Sequence, residues 1–391
     1  MIVAGVMSGT SADGINVAFV KIREPRSKRR RRASFSEGPA FSLLGHEEYP
    51  YPERVRDAIL QMMNAPDASV AYLARLNFLL GELYAEAIRK AARQNRVMPE
   101  LVGCHGQTLY HQGTAAAFLG RKLAATWQTG EGAIVAARVG APVVSDFRPA
   151  DMAQGGKGAP LVPFLDYFLY RSSQAGRIAQ NIGGISNLTA IPIGATPRQL
   201  IAFDTGPGNM VIDAAMQKLY GRPFDRDGRV AASGRPQQAA LHQLLHDPFF
   251  RRRPPRTAGR EEFGREYLKH FLKVCNSRHS NDIIATATSL TARSIANAIL
   301  RFILPTHRSY KELIVSGGGA KNPTLLAMLR NEISAFGIDL RVSDEFGVPS
   351  EAKEAVAFAI LAYETWNRRA SNVPAATGAK HPAILGKISY A

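Results

Sequence analysis

The sequence predicts an α/β protein made of two domains. The chain has 391 residues, of which 46% are hydrophobic, and this length is sufficient for two domains with separate cores. Short apolar runs typical of buried strands lead into glycine-rich polar turns at residues 7–16, 181–189, 203–209 and 315–322. Helical patterns lie between these turns, the longest at residues 71–94. This recurrence is what two related halves would show.

We therefore place one domain at residues 1–150 and the second at residues 151–391, with an approximate boundary. The C-terminal helix is free to return to the N-terminal half. The first domain would hold the first glycine turn, and the second domain would hold the other three.

The first glycine turn has the composition of a phosphate-binding loop. Gly9 and Gly14 flank hydroxyl side chains and the carboxylate of Asp13. Glycine lets a backbone approach a phosphate without a Cβ in the way, and a carboxylate is a suitable oxygen ligand for Mg²⁺. A polar hairpin turn explains these residues equally well. Four such turns are harder to explain as ordinary hairpins, and they favour one nucleotide held from two sides.

The loop after the apolar run 142–145 carries the strongest catalytic pattern. It begins with Asp146 and Arg148, continues to Asp151, and is followed by glycines and Lys157. A carboxylate there could take a proton from a nucleophile, and phosphoryl transfer needs positioning, charge neutralisation and such a group. An Asp–Arg ion pair that braces the loop is an equally good explanation for Asp146 and Arg148.

A second polar cluster follows the apolar residues 101–102, where α/β sheets place ligand-binding groups. His105 fits a structural or hydrogen-bonding role better than base catalysis. Gln107 and Thr108 suit sugar hydroxyls or an acetamido group. Cys104 is expected to be a small buried residue and not a nucleophile. Trp127 offers a flat face for a sugar, although core packing explains it at least as well.

Composition limits the location and partners of the protein. The two cysteines fit no disulfide framework or zinc spacing, and no signal peptide or membrane-length apolar run is present, so we expect a soluble cytoplasmic protein. The formal net charge is +17, and part of it lies in residues 26–32. Because no aromatic residues interleave with this run, a solvated loop is favoured over nucleic-acid binding.

Taken together, these stretches resemble the anhydro-N-acetylmuramic acid kinases, which are sugar kinases of the actin, Hsp70 and hexokinase superfamily. The matching segments occur in family order and cover nearly the whole chain, at residues 5–14, 105–108, 146–163, 181–189, 203–209, 223–228, 316–319 and 373–378. The resemblance implies a two-domain actin/hexokinase-like (ribonuclease H-like) fold with ATP in a cleft between the domains.

The resemblance also implies a reaction and a set of site residues. Asp151 would activate water for attack at the anomeric carbon of the 1,6-anhydro sugar, and the released O6 would take the γ-phosphate of ATP. The product would be N-acetylmuramic acid 6-phosphate, formed in cell-wall recycling. The sugar would contact His105, Gln107, Thr108 and Glu354. The implied ATP-binding residues are Gly9, Thr10, Ser11, Ala12, Asp13, Gly14, Asn181, Gly183, Gly184, Asn187, Asp204, Gly206, Gly208, Asn209, Gly317, Gly318 and Gly319.

Asp13 and Asp204 are the candidate Mg²⁺ ligands. Two of these assignments have simple alternatives, because Asp204 could cap the helix that follows it and Glu354 could be an exposed helix charge. The sequence departs from the family pattern at Asn16, Lys157 and Arg256, where Asp, Gln and Lys are usual. None of these changes removes the predicted site.

Three other functions stay open. One is a kinase for another anhydro- or amino sugar, and another is a non-catalytic ATP-dependent switch of the same superfamily. The third is a basic nucleic-acid-binding module. The expected partners are small molecules, without a membrane and with nucleic acid disfavoured, and a homodimer is compatible with the sequence.

Overall fold

The computed structural model describes residues 1–9, 12–23, 40–277, 279–306 and 310–391, with the side chains of residues 40 and 260 excepted. It divides into two compact units. The first unit contains Met1–Phe168 and Ala352–Ala391, and the second unit contains Leu169–Glu351. The predicted boundary at residue 150 therefore falls inside the first unit, and the C-terminal helix belongs to that unit. The basic residues 26–32 lie outside the described residues.

The strands are β1 (Ile2–Met7), β2 (Gly14–Arg23), β3 (Ala40–Pro50), β4 (Leu101–Cys104), β5 (Gln107–Phe118), β6 (Arg121–Thr129), β7 (Val143–Ser145), β8 (Gly176–Ile182), β9 (Ile185–Ile191), β10 (Ile201–Pro207), β11 (Tyr310–Ser316), β12 (Asp339–Val342) and β13 (Lys387–Ser389).

The α-helices are α1 (Glu53–Met62), α2 (Val70–Asn95), α3 (Gly132–Val139), α4 (Phe147–Ala153), α5 (Pro163–Tyr170), α6 (Met210–Tyr220), α7 (Arg229–Ala232), α8 (Gln238–Leu244), α9 (Pro248–Arg251), α10 (Arg260–Phe263), α11 (Arg265–Cys275), α12 (Ser280–Ala298), α13 (Pro323–Ser334), α14 (Lys353–Trp366) and α15 (Pro374–Thr377). Short 3₁₀ helices lie at Pro197–Gln199, Arg226–Gly228, Gly318–Lys321 and Ser343–Phe346, and a π-helical turn at Ile299–Ile303 extends α12.

The first unit is built on a six-stranded sheet with the order β13-β7-β4-β1-β2-β3. Strands β1, β2 and β3 are antiparallel, whereas β1, β4 and β7 are parallel. The residues that follow these three parallel strands therefore meet at one edge of the sheet. These residues are Ser8, His105 and Asp146.

The second unit repeats this arrangement in a five-stranded sheet with the order β10-β9-β8-β11-β12. Its first three strands are antiparallel, and β8, β11 and β12 are parallel. The chain thus forms the same strand order twice, with three antiparallel strands beside parallel ones. This repetition confirms the predicted α/β fold of two ribonuclease H-like halves.

Helix α14 lies directly on the first sheet. A Cβ at Gly5 or at Gly103 would overlap the backbone carbonyl of Ala355 or Phe358, so glycine in β1 and β4 permits this close approach. On the opposite face, α2 buries Leu76, Leu80 and other apolar residues in the core of the first unit.

The second unit has a core on its sheet and another among its helices. Helix α12 contributes to both cores. In the described part of the chain, the segment Ser280–Ile303 alone is long and apolar enough to cross a membrane, and 83% of its apolar 18-residue stretch is buried inside the protein, as in a core helix.

Candidate active site

The first glycine turn is tied to its surroundings by buried hydrogen bonds. The Ser8 hydroxyl donates to Gln107 Oε1 at 2.6 Å and accepts from the Tyr51 hydroxyl at 2.9 Å. Gln107 Nε2 donates to the Gly9 carbonyl at 3.2 Å. Gln107 is fully buried, and this predicted sugar ligand holds the turn in place through its hydrogen bonds to Ser8 and Gly9. Of the predicted phosphate contacts, Thr10 and Ser11 lie outside the described residues.

The remaining residues of this turn differ in exposure. Ala12 is buried with a positive φ of 53°, whereas Asp13 is 72% exposed and lies 3.6 Å from the Arg56 guanidinium. Gly14 already pairs within the sheet, opposite Pro50 of β3. Asn16 contacts His46 Nε2 at 2.8 Å through its amide oxygen, which gives this departure from the family a local hydrogen-bonding role.

His105 is fully engaged by neighbouring groups. Its Nε2 lies 2.8 Å from an Arg148 nitrogen, and its Nδ1 lies 2.8 Å from the Gly106 carbonyl. Because arginine can only donate, Nε2 accepts that bond and Nδ1–H donates to the carbonyl. Burial, followed by the charge of Arg148, holds the pKa of His105 well below its usual value. A neutral imidazole that orients Arg148 agrees with the expectation against base catalysis.

Arg148 is half-buried beside His105. It also donates to the Gly158 carbonyl at 2.7 Å, and removal from water lowers its pKa to about 10. Glu354 on α14 is near enough for its charge to act on Arg148. The Glu354 side chain is exposed. Desolvation by the surrounding protein raises the pKa of its carboxyl, and the charges of Arg148 and Lys353 lower it by a smaller amount. The charges of Arg148 and Glu354 therefore interact within the first unit, with Glu354 exposed and Arg148 half-buried.

Asp151 is completely buried. Its carboxylate accepts hydrogen bonds from the Gly158 amide at 2.8 Å, from Asn372 Nδ2 at 2.7 Å and from the Thr377 hydroxyl at 2.7 Å. A carboxylate shielded from solvent and saturated with donors has no surface to offer to water or sugar. Asp151 therefore joins the loop after α4 to the C-terminal segment, and this geometry does not favour the predicted base role.

We expect Asp151→Asn to destabilise the fold more than it impairs catalysis. The asparagine amide nitrogen would face one of the donors that the carboxylate now accepts from, such as the Gly158 N–H. One buried hydrogen bond would then be replaced by two donors that face each other. The expected cost is about 1–3 kcal/mol in the free energy of unfolding, measured by urea denaturation. Turnover by the folded variant should stay within about tenfold of wild type, since general-base loss costs about 10²–10⁴-fold. A larger loss in a stable variant would restore Asp151 as the base.

In the second unit, three glycine turns converge. The carbonyls of Gly183 and Gly184 accept hydrogen bonds from the amides of Gly208, Asn209 and Met210, at 2.8 to 3.1 Å. A Cβ at Gly208 would overlap the Gly183 carbonyl, and one at Gly317 would lie 2.5 Å from Asn181 Oδ1. Glycine is required here for close approach. The first amides at α6 are thus used within the protein.

Three polar side chains form a row beside these turns. Asn181 pairs with Asn187 across β8 and β9, and Asn187 pairs with Asp204 across β9 and β10. Side chains of directly paired residues lie on the same face of a sheet. All three residues are half-buried. The Asp204 carboxylate accepts a hydrogen bond from the Ala258 amide at 2.7 Å. Asp204 is therefore both oriented and accessible, and it does not cap α6.

Arg256 fixes the backbone on which Asp204 lies. The Arg256 side chain is 4% exposed, and its guanidinium donates to four backbone carbonyls, those of Asp204, Thr205, Phe249 and Arg252. It also lies 4.7 to 5.2 Å from the ring centroids of Phe203, Phe249 and Phe302. A lysine, usual here in the resembling family, could not make four such bonds. This departure from the pattern is a structural anchor.

A cavity of about 340 Å³ opens beside the third turn of the second unit. Gly318, Lys321 and Asn322 form one side, and the start of α6 with residues 224–227 forms another. Asp213 on α6 also lines the cavity, and burial raises its pKa to about 7. A cavity of this size next to glycine backbone suits a nucleoside.

The raised pKa of Asp213 predicts a pH-dependent effect on stability. Burial raises the pKa of Asp213 from its ordinary 3.8 to about 7, so ionisation costs more in the folded state and stability falls as pH rises through this window. Asp213→Asn removes the penalty. Because Asp213 is partly exposed, solvent screening reduces the energy of this penalty. We therefore expect about 2 kcal/mol of stabilisation by Asp213→Asn at pH 8 and none at pH 4. Thermal unfolding at both pH values measures this difference, and equal gains at both would contradict it.

The candidate Mg²⁺ ligands Asp13 and Asp204 belong to no larger cluster of acidic or metal-binding side chains among the described residues. In the described part of the chain, no group of three or more His, Cys, Asp or Glu side chains could hold a metal ion. Mg²⁺ commonly uses one or two carboxylates together with phosphate oxygens. The accessible carboxylate of Asp204 fits such an ion, whereas Arg56 competes at Asp13.

Several site residues carry no local sequence signal. Asn372 and Thr377 lie 221 and 226 residues after Asp151, and the C-terminal family stretch 373–378 contains Thr377 but not Asn372. The sequence around Asp213 is that of an ordinary helix and does not mark this residue as part of a site. Cys104 is buried as predicted, and burial raises the pKa of its thiol to about 12, which leaves it protonated and unreactive.

The chain is similar in sequence to a family of kinases over its full length. The sequence model of the family described as anhydro-N-acetylmuramic acid kinase matches residues 1–391. A protein named anhydro-N-acetylmuramic acid kinase from Caldanaerobacter subterraneus subsp. tengcongensis is 42% identical, over 99% of this chain and 96% of the relative. One of the same name from Bacillus cereus is 40% identical, over 100% of this chain and 99% of the relative.

Among solved structures, a ROK family glucokinase from Streptomyces griseus in complex with glucose and AMPPNP is similar at 15% identity and a TM-score of 0.38, covering 93% of this chain and 100% of that one. The activator of 2-hydroxyisocaproyl-CoA dehydratase from Clostridium difficile with bound ADPNP is similar at 12% identity and a TM-score of 0.44, covering 94% and 96%. The full-length sequence matches settle the family. This chain belongs to the anhydro-N-acetylmuramic acid kinase family.

Proposed function

We propose that this chain uses ATP to open the 1,6-anhydro ring of anhydro-N-acetylmuramic acid and to phosphorylate O6, giving N-acetylmuramic acid 6-phosphate and ADP in cell-wall recycling. Membership of the kinase family supports the substrate. The observation that supports ATP binding most strongly is the convergence of three glycine turns in the second unit, beside a cavity that suits a nucleoside.

The reaction balances without a further reactant. Water forms a bond to the anomeric carbon while the bond from that carbon to O6 breaks. O6 attacks the γ-phosphorus, whose bond to the β-γ bridging oxygen breaks to leave ADP. A base takes the proton that water loses. The protein therefore has to orient water and the anhydro ring, hold the phosphates, and accept one proton.

We propose Asp204 as this base, in place of the predicted Asp151. Asp204 is accessible and held in one orientation by the Ala258 amide, and Arg256 fixes its backbone. Asp151 is buried and accepts three hydrogen bonds, so we assign it a positioning role. Glu354 is exposed, Arg148 is half-buried, and their charges interact, so both residues suit contacts to the sugar.

The nucleotide contacts follow from the turns. Asn181, Gly183, Gly184, Asn187, Gly206, Gly208 and Asn209 would lie along the phosphates, and Gly317, Gly318 and Gly319 along the adenosine. Gly9, Thr10, Ser11, Ala12, Asp13 and Gly14 would supply the first phosphate turn. Bound Mg²⁺ would neutralise phosphate charge and would be held chiefly by phosphate oxygens, and Asp204 would be its ligand only in the alternative in which Asp204 is not the base. His105 and Gln107 would support the site through Arg148 and Gly9, and Thr108 stays a candidate sugar contact.

Cytoplasmic location, a possible homodimer and the absence of nucleic-acid binding remain predictions of the sequence. Small-molecule substrates are what the kinase family supports.

The test of this function is ADP release by the purified chain with Mg-ATP and a panel of sugars. We expect turnover with anhydro-N-acetylmuramic acid and little with N-acetylmuramic acid or N-acetylglucosamine. Preference for another anhydro- or amino sugar would replace the proposed substrate. ATP binding without turnover on any sugar would favour the switch function, and absence of ATP binding would refute the proposal altogether.

A further inference from the structure

A groove of about 420 Å³ lies on the first unit, where the last turns of α2 meet the end of α3. Its floor is aliphatic, with Ile88 fully buried and with Ala92 and Val139 half-buried. Residues 97–99, which precede β4, form one side of it. The residues assigned above to ATP and to the sugar do not line this groove, so the proposed reaction does not use it.

Four arginine side chains form the rim of the groove, and no acidic residue of the described chain lines it. Arg89 and Arg93 lie one turn apart on α2, and Arg96 caps the C-terminus of that helix. Arg138 lies in the last turn of α3. All four side chains are exposed. The groove therefore combines an apolar floor with a cationic rim.

Three of these four charges stay without a counter-charge in the described part of the chain. Arg138 forms a bidentate ion pair with Glu82, at 2.8 and 3.0 Å. The side chains of Arg89, Arg93 and Arg96 form no ion pair or hydrogen bond with a described residue. The C-terminus of α2 supplies only about half a negative charge, which is too little to offset three guanidinium groups.

This charge selects an anionic partner, because guanidinium groups bind carboxylates and phosphates through paired hydrogen bonds. Nucleic acid is disfavoured, since no aromatic side chain among the described residues lines the groove to stack on a base. A membrane surface is disfavoured as well. The aliphatic floor is recessed, whereas a protein that lies on a membrane inserts protruding apolar side chains, and Met98, which is 82% exposed, is a single such residue here.

A second copy of this chain would bring the same arginines and a formal net charge of +17 to the contact, so repulsion opposes it. A protein segment that carries one apolar side chain between acidic residues matches both the floor and the rim. Such segments bind apolar grooves through one or a few anchoring side chains.

We propose that this groove binds an acidic segment of another protein, with one apolar side chain of that segment on the aliphatic floor and its carboxylates on Arg89, Arg93 and Arg96. The contact is small for a protein interface, so the complex is transient, with a Kd on the order of 10 μM. This inference is independent of the proposed reaction, and variants of the groove should keep the wild-type rate of ADP release.

Fluorescence anisotropy with a synthetic peptide tests this surface on the full chain. The probe is a fluorescein-labelled peptide of about twelve residues, in which glutamates surround leucines at i, i+3 and i+4 spacing. At about 0.15 M salt we expect saturable binding to wild type. Arg89→Ala combined with Arg93→Ala should weaken the Kd at least tenfold. Arg251→Ala combined with Arg253→Ala is the matched control, because it removes the same charge from exposed arginines of the second unit and should change the Kd less than twofold.

Arg96→Gly provides a second variant that keeps the fold. Arg96 caps α2 with a φ of 52°, a left-handed conformation in which glycine is the preferred residue. The substitution therefore removes a guanidinium without straining the backbone, and it should weaken peptide binding at least threefold. Thermal unfolding should show a variant at least as stable as wild type.

A second peptide, in which serines replace the leucines, tests the aliphatic floor and should bind at least tenfold more weakly. Absence of binding by the leucine peptide, equal affinity of the two peptides, or equal weakening by the two pairs of arginine substitutions would overturn the inference. The last result would reduce the contact to attraction by the net charge. Tighter binding of phosphatidylserine vesicles or of an oligothymidylate, lost in the groove variant, would also overturn it and identify a lipid or nucleic-acid surface.

Discussion

Asp204→Asn is expected to lower the turnover number by about 10²–10⁴-fold, the contribution typical of a general base. The amide has nearly the same shape as the carboxylate, and its oxygen still accepts the hydrogen bond from the Ala258 amide. It cannot take a proton from water. ADP release under saturating substrates measures this loss, and thermal unfolding should show a folded variant.

The control for this prediction is Asp151→Asn, which changes another carboxylate of the predicted site in the same way. ATP affinity of the Asp204 variant separates two roles of the residue. Unchanged affinity in the presence of Mg²⁺ agrees with a base, whereas a large loss of Mg-ATP affinity would identify a metal ligand. Turnover that survives in Asp204→Asn and disappears in Asp151→Asn would reverse our assignment.

Arg256→Ala is expected to destabilise the chain by about 3–5 kcal/mol, the range for losing one partner of a buried charged network. The truncation leaves four backbone carbonyls without the guanidinium donor and opens a space among three aromatic rings. Two of those carbonyls belong to Asp204 and Thr205, so turnover should fall as well. Urea denaturation measures the free energy of unfolding.

Arg252→Ala is the matched control, because Arg252 lies in the same segment, is about half exposed and pairs with Glu262 at 3.5 Å. Removal of this surface pair should cost less than about 1 kcal/mol. Arg256→Lys should fall between the two, since lysine keeps the charge and loses the planar set of donors. Equal stability of Arg256→Ala and Arg252→Ala would show that the guanidinium network contributes little.

The sequence was most informative where backbone geometry demands a particular residue. Gly183, Gly208 and Gly317 recur after apolar runs because the three turns of the second unit pack backbone against backbone. The strand pattern and these glycines together predicted two related α/β halves. The domain boundary was less predictable, because α4 follows a parallel strand of the first sheet and gives no local sign of which unit it joins.

Side-chain roles were less predictable than the turns. Asp151 looked catalytic because it follows a buried strand and a charged loop, but its burial depends on Asn372 and Thr377 far along the chain. Gln107 looked like a sugar ligand, and its partners Ser8 and Gly9 become visible only when β1 and β5 are placed in space. Such roles depend on tertiary contacts that a local pattern does not contain.

The most direct test of the proposed reaction is turnover with anhydro-N-acetylmuramic acid and Mg-ATP in ¹⁸O-labelled water, followed by mass analysis of the products. We expect one ¹⁸O atom at the anomeric carbon of the phosphorylated sugar and unlabelled phosphate on O6, with one ADP per sugar. Label in released inorganic phosphate, with the sugar still in its anhydro form, would mean that water attacks ATP and would contradict the proposed reaction.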